Sequence, residues 1–148
     1  MTSANDGTLS LQQFLPYRLS ALANRISQSL AVKYSKQYGV SVQEWRILAA
    51  LGEETKLSAV GITNRIAMDK VAVSRAVKRL IEKDLIIKHL DDNDQRSHEL
   101  SLSAQGVDIY QKLVPIALKH EQQVTANLTK KEKESLLKLL SKLDNAPL

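Results

Sequence analysis

The chain is most tightly constrained between Leu57 and Leu102, where the spacing of apolar residues changes from about 3.6 to 2 near Leu85. Upstream of that point, LSAVGITNRIAMDKVAVSRAVKRLIEKD carries apolar side chains three and four residues apart, in two short runs interrupted around Ala67 and Asp69. Downstream, LIIKHL and SHELSL flank the polar run Asp91-Asp92-Asn93-Asp94-Gln95-Arg96. One element cannot satisfy both periods, so the segment encodes two short helices meeting at a tight turn, followed by a β-hairpin.

Two helices that cross this closely need apolar residues at set positions and a small turn. Ile62, Ile66, Met68, Val73 and Val77 fall at those positions, and Asp69 can cap the second helix. Thr63 and Ala67 depart from the commoner Ala and Gly of such a unit. The expected arrangement is a winged helix-turn-helix. With Val73, Val77 and Leu80 turned inward, Ser74, Arg75, Lys78 and Arg79 face out, and Lys70 to Lys88 holds six basic residues against two acidic ones. Such a helix can enter the major groove of duplex DNA, where an arginine grips guanine through O6 and N7. The loop aspartates would repel phosphate, so a plain basic patch does not describe the hairpin. Asp94 can instead hold Arg96 in a fixed direction while the tip reaches the minor groove. A merely solvated helix face, and an Asp94–Arg96 pair that only closes a turn, remain open alternatives at this point.

Residues 1–9 are expected to form a disordered tail. A long helix follows, from Leu11 or Pro16 to Gln37, with Leu15, Leu19, Leu22, Ile26 and Leu30 on one face and Gly39 ending it. Ser41 to Glu44 reads as a capping box opening a helix through Leu51, and further helices are expected over Ala59 to Ala67 and Lys70 to Lys83. Strands are expected over Leu85 to Leu90 and Ser97 to Leu102. Ser103 can cap a helix reaching Asn127 and bent at Pro115. Thr129 to Glu132, a second capping box, starts a last helix whose Leu136, Leu137, Leu139, Leu140 and Leu143 call for a partner.

The length of 148 residues suits one domain with a dimerisation extension. Aromatic residues make up only 4%, too few for the stacking platforms of a single-strand binder, while the net charge of +5 suits a polyanionic partner. With no cysteine, disulfides and thiolate metal sites are excluded. The polar start MTSANDGTLS and the lack of a long apolar run predict a cytoplasmic protein with no membrane partner. His89, His98 and His120 lack metal-ligand spacing and read as surface residues, so no metal and no cofactor are expected. An enzyme is not expected either, for want of a glycine-rich phosphate loop, a convergent acid pair or a nucleophile beside a base.

The run MDKVAVSRAVKRLIEKDLI resembles the recognition helix of the MarR family of bacterial transcription regulators, and DDNDQRSHELSLSAQG resembles its wing, with the Asp-x-Arg-Ser signature and the following helix start. The chain departs from the family at Asp84, where Gly is usual, although Asp tolerates left-handed backbone better than most residues. The resemblance implies a mainly α fold with a small β-hairpin wing. A winged helix-turn-helix over 40–102 would lie between dimerisation helices at 10–38 and 103–148. It further implies a homodimer on a palindromic operator, with half-sites about one helical turn, roughly 34 to 36 Å, apart. Lys70, Ser74, Arg75, Lys78 and Arg79 would contact groove or phosphate, Arg96 would sit at the wing tip, and Asp94 would orient it.

PYRLSALANRIS and EWRILAAL are most similar, within that family, to regulators of hydroxycinnamate and related aromatic-acid catabolism. This implies release from DNA by a small aromatic carboxylate or a hydroxycinnamoyl-type coenzyme A ester. Tyr17, Ser20 and Asn24 form a polar stripe, and Arg46 beside Trp45 can hold a carboxylate against an apolar wall. Alternatively, Trp45 is core and Arg46 pairs with Glu44 or a helix end. The function expected is a ligand-responsive repressor; a winged-helix protein-interaction module without DNA binding is the alternative.

Overall fold

The computed structural model describes residues 7–90 and 98–148. After a single 3-10 turn at Leu11–Gln13, α1 spans Leu15–Tyr38, with Pro16 in its first turn, where a missing N–H costs nothing. Gly39, at φ 64°, closes it by donating to the Ser35 carbonyl. Helix α2 (Val42–Glu53) opens with the expected capping box: Glu44 N–H donates to Ser41 Oγ, and Ser41 N–H donates to Glu44 Oε1. Strand β1 (Leu57–Ser58), α3 (Ala59–Arg65) and α4 (Lys70–Glu82) follow. Next come β2 (Ile86–Leu90), β3 (His98–Leu102), α5 (Ala104–Val124) and α6 (Lys130–Asp144), the last opened by the Thr129–Glu132 box.

Several boundaries differ from the sequence reading. Helix α3 stops at Arg65, two residues short of Ala67, because Ile66 is extended (φ −116°, ψ 152°) and begins the turn to Asp69. Helix α5 stops at Val124 rather than Asn127, and it continues through Pro115. Leu85 precedes β2 as a buried junction residue, and Ser97 lies outside the described residues. The wing is also larger than a hairpin. The sheet has three antiparallel strands in the order β1-β3-β2, with Leu57 opposite Leu100 and Ile86 opposite Leu102. Two residues are too few to show a period, which is why β1 escapes sequence reading.

The core joins Tyr34 of α1, Ile47 and Leu48 of α2, Ile62 of α3, Val73 and Leu80 of α4, Leu100 of β3 and Leu113 of α5. Ile66, Met68 and Val77 pack against it half-buried, as the helix-turn-helix pattern requires. One corner fixes the winged unit to α5. Asp84 takes φ 58° after α4, and its carbonyl accepts from Ser103 Oγ at 2.6 Å. The Leu85 carbonyl accepts from Ser103 N–H at 3.0 Å, and Ser103 Oγ in turn caps Gly106 N–H at 2.9 Å.

The terminal helices leave apolar side chains uncovered. Leu15, Leu19 and Leu22 of α1 and Leu136, Leu137, Leu139 and Leu143 of α6 are all exposed, whereas Leu30, further along the α1 stripe, packs on the core. Among the described residues no helix is long and apolar enough to cross a membrane.

Candidate nucleic-acid interface

Helix α4 is capped by Asp69, whose carboxylate accepts from Ala72 N–H at 2.8 Å. Its buried stripe is Val73, Ala76 and Leu80. On the opposite side Lys70, Val71, Ser74, Arg75 and Lys78 are exposed, so five of the seven expected DNA contacts are described residues, and four of those five share one open face. Asp94 and Arg96 lie outside the described residues.

Arg79 is the one that does not join that face. It is half-buried on the flank of α4, with Nε 3.7 Å from Glu44 Oε1. Lys83 comes closer, its Nζ 2.6 Å from Glu44 Oε2 and 2.7 Å from the Gly39 carbonyl. The Glu44 side chain is only 3% exposed, so two cations from the end of α4 neutralise a buried charge at the start of α2. The capping-box pattern identifies Glu44 as a cap but carries no signal for this second role. Arg46, for its part, does not pair with Glu44; its guanidinium donates to Ser27 Oγ of α1 at 3.2 Å.

The five residues expected to hold a ligand are not brought together within one chain. Trp45 and Arg46 line a cavity of about 220 Å³ with Ala49, Arg65 and Ile66. Tyr17 lines a separate one of about 500 Å³ on the exposed half of α1, with Gln12, Arg18 and Arg25. Ser20 and Asn24 are exposed on α1 and border neither. Trp45 itself is half-buried, stacked on Tyr110 at 6.5 Å and tilted against Tyr34 at 6.1 Å. The Tyr34 hydroxyl is buried without a hydrogen-bond partner among the described residues, and burial pushes its pKa up to about 12 against the opposing pull of Arg46.

Nor are all the histidines on the surface. His89 is half-buried, its Nε2 2.9 Å from Ser101 Oγ across the sheet, and His120 is 4% exposed. His120 Nε2 meets Ser29 Oγ at 2.5 Å, joining α5 to α1 beside the Lys33–Gln123 contact. Apolar periodicity hides it, because the position belongs to the inward face of α5 whatever residue occupies it. Burial, and then Lys33, hold its pKa below the ordinary value. The unfolded chain therefore binds this proton more readily than the fold, and the stability His120 contributes is complete above about pH 6.5 and declines as pH falls through the folded value. His120→Gln, which keeps an acceptor for Ser29, is expected to reduce the loss of stability between pH 7.5 and 5.5 in urea unfolding. Equal losses in variant and parent would refute the assignment. Among the described residues no group of three His, Cys, Asp or Glu is placed to hold a metal ion.

Residues 38–97 match the profile of the MarR family. The chain is 26% identical over 104 residues to the HTH-type transcriptional regulator SarZ of Staphylococcus epidermidis, covering 70% of this chain and 69% of SarZ. Among solved structures it superposes on a MarR/EmrR family transcriptional regulator from Acinetobacter sp. ADP1 with a TM-score of 0.86, at 29% identity over 93% of this chain and 96% of the other. Bordetella bronchiseptica BpsR, whose DNA binding is regulated by 6-hydroxynicotinic acid, shares the fold with a TM-score of 0.84 at 21% identity, covering 95% of this chain and 99% of BpsR. The helix-turn-helix of α3 and α4, packed with a three-stranded sheet, thus has the fold of MarR-family transcriptional regulators, and over residues 38–97 the chain is similar to that family in sequence.

Proposed function

We propose that this protein is a repressor that binds a palindromic operator as a homodimer and is released by a small aromatic acid or its coenzyme A ester. The observation that carries the DNA contact is the open face of α4. Ser74, Arg75 and Lys78 are exposed together, and among the described residues neither cation is paired with a carboxylate. Lys70 extends that face, and Arg96, oriented by Asp94, reaches the minor groove. Arg79 is left out of the contact set because Glu44 faces it. A protein-interaction module that had abandoned DNA would have no need of unpaired cations there.

The winged unit is assigned to 40–102 and dimerisation to 10–38 and 103–148. Uncovered leucines on both α1 and α6 support that division, since contiguous exposed apolar surface marks an interface. The effector class rests on the similarity to aromatic-acid regulators and on Arg46 beside Trp45 at the 220 Å³ cavity. Tyr17, Ser20 and Asn24 would complete the pocket only across a dimer, because they do not line that cavity within one chain.

The test is a footprint and gel shift on DNA upstream of the protein's own gene, at two salt concentrations. Arg75→Ala is expected to weaken specific binding by roughly 5- to 150-fold, about 1 to 3 kcal/mol, and to relax base choice at one position. Lys78→Ala is expected to lower the slope of log affinity against log salt by about 0.9 for each phosphate left without its cation. Footprints as tight as the parent's would overturn these contacts. Thermal shift against aromatic carboxylates and their coenzyme A esters tests the effector, and stabilisation by none of them would reject that class.

A further inference from the structure

Val71 is 57% exposed although it is a β-branched apolar residue on a helix whose apolar stripe is otherwise buried. Lys70 is the first residue of α4, so Val71 is the second. At about 100° per residue Val71 points close to 180° away from the centre of the Val73, Ala76 and Leu80 stripe, between Ser74 and Arg75 and about two turns before Lys78. It is therefore the apolar centre of a polar, cationic face. Packing within the chain does not call for it, and a valine costs some helix propensity at a position where Lys, Gln or Ala would serve better.

The N-terminal residues of a recognition helix are those that reach base edges, and in the major groove the apolar feature is the C5-methyl group of thymine. Building on the DNA-binding reading, we infer that Val71 is a specificity-determining residue that packs against a thymine methyl in each half-site. Arg75 and Lys78 would flank that contact with hydrogen bonds and charge, and Glu82, the acidic residue on the same side, sits at the far end of the helix. The valine methyls would exclude water from the thymine methyl and leave a cytosine or a demethylated base unmatched.

The experiment is a set of operators in which single thymines are replaced by deoxyuridine, which removes only the methyl group. Each is titrated against the parent and against Val71→Ala. The parent is expected to lose roughly fourfold in affinity at one position of each half-site, the effect of burying about one methyl-sized group. Val71→Ala is expected to bind the thymine operator more weakly and to ignore the deoxyuridine change at that same position. A variant that remains as sensitive to deoxyuridine as the parent overturns the assignment, as does a parent indifferent to deoxyuridine everywhere. A parent that selects no operator at all would instead refute the DNA-binding reading itself. Val71 is exposed, so the variant is expected to keep its fold, and equal circular dichroism and melting curves verify it.

Discussion

Gly106→Ala is expected to destabilise the protein by more than about 3 kcal/mol and to lower Tm by roughly 10 °C. A Cβ at this position would lie 1.9 Å from the backbone oxygen of Leu85. A backbone carbonyl cannot turn aside as a side chain can, and this one already accepts the Ser103 N–H. Relief would require α5 to move away from the wing, breaking the corner that Ser103 makes with Asp84 and Leu85. The chain contains its own control. Leu57-Ser58-Ala59-Val60-Gly61 repeats the pattern of Leu102-Ser103-Ala104-Gln105-Gly106, and in both the serine Oγ caps the glycine N–H, at 3.0 and 2.9 Å. At Gly61 the nearest atoms to an added Cβ are side-chain atoms of Leu57 and Ser58 at 3.3 Å. Gly61→Ala is therefore expected to stay within about 1 kcal/mol of the parent, since improved helix propensity offsets a small side-chain adjustment. Urea unfolding of the two variants at one protein concentration decides the matter, and equal stabilities would show that the α5 contact is not a constraint.

That pair also marks where sequence reading runs out. Ser41, Asp69, Ser103 and Thr129 announce their helices because a cap acts on backbone groups two or three residues away. The positive φ at Asp84 is similarly local, and a residue that tolerates left-handed backbone occupies it. The outward face of α4 follows from the period of Val73, Ala76 and Leu80 alone. What the sequence hides is non-local. The same five-residue pattern requires its glycine in one place and not in the other, and the difference is the carbonyl of Leu85, twenty-one residues before Gly106. Arg79 looks outward on a helical projection, yet Glu44 lies within its reach across the α2–α4 contact. The expected ligand residues fail to converge for a related reason. Tyr17, Ser20 and Asn24 share a helix face, but which side chains stand opposite them depends on how a second surface packs there.

The Glu44 cluster yields the second large effect, and it should be asymmetric. Glu44 is the buried member, with its side chain 3% exposed, whereas Lys83 and Arg79 are 39% and 43% exposed. Lys83→Met leaves the carboxylate in place, out of reach of water, with Arg79 Nε at 3.7 Å and the Ser41 N–H at 3.3 Å as its remaining partners. A stranded buried charge of this kind costs about 3 kcal/mol. Glu44→Gln removes the charge but retains an oxygen for the Ser41 N–H, and the two cations it releases can turn into solvent. Its cost is expected to be about 1 kcal/mol. The double variant Glu44→Gln/Lys83→Met should recover most of what Lys83→Met loses, giving a coupling energy above about 1 kcal/mol in a double-mutant cycle. A loss in Glu44→Gln as large as that in Lys83→Met would mean that the ion pairs themselves hold α2 to the end of α4, since the glutamine keeps the cap. The same contact would then hold the open face of the recognition helix at a fixed angle to the rest of the molecule. The expected order, with the lysine the more costly to remove, would instead make neutralising the buried carboxylate the main work of Lys83.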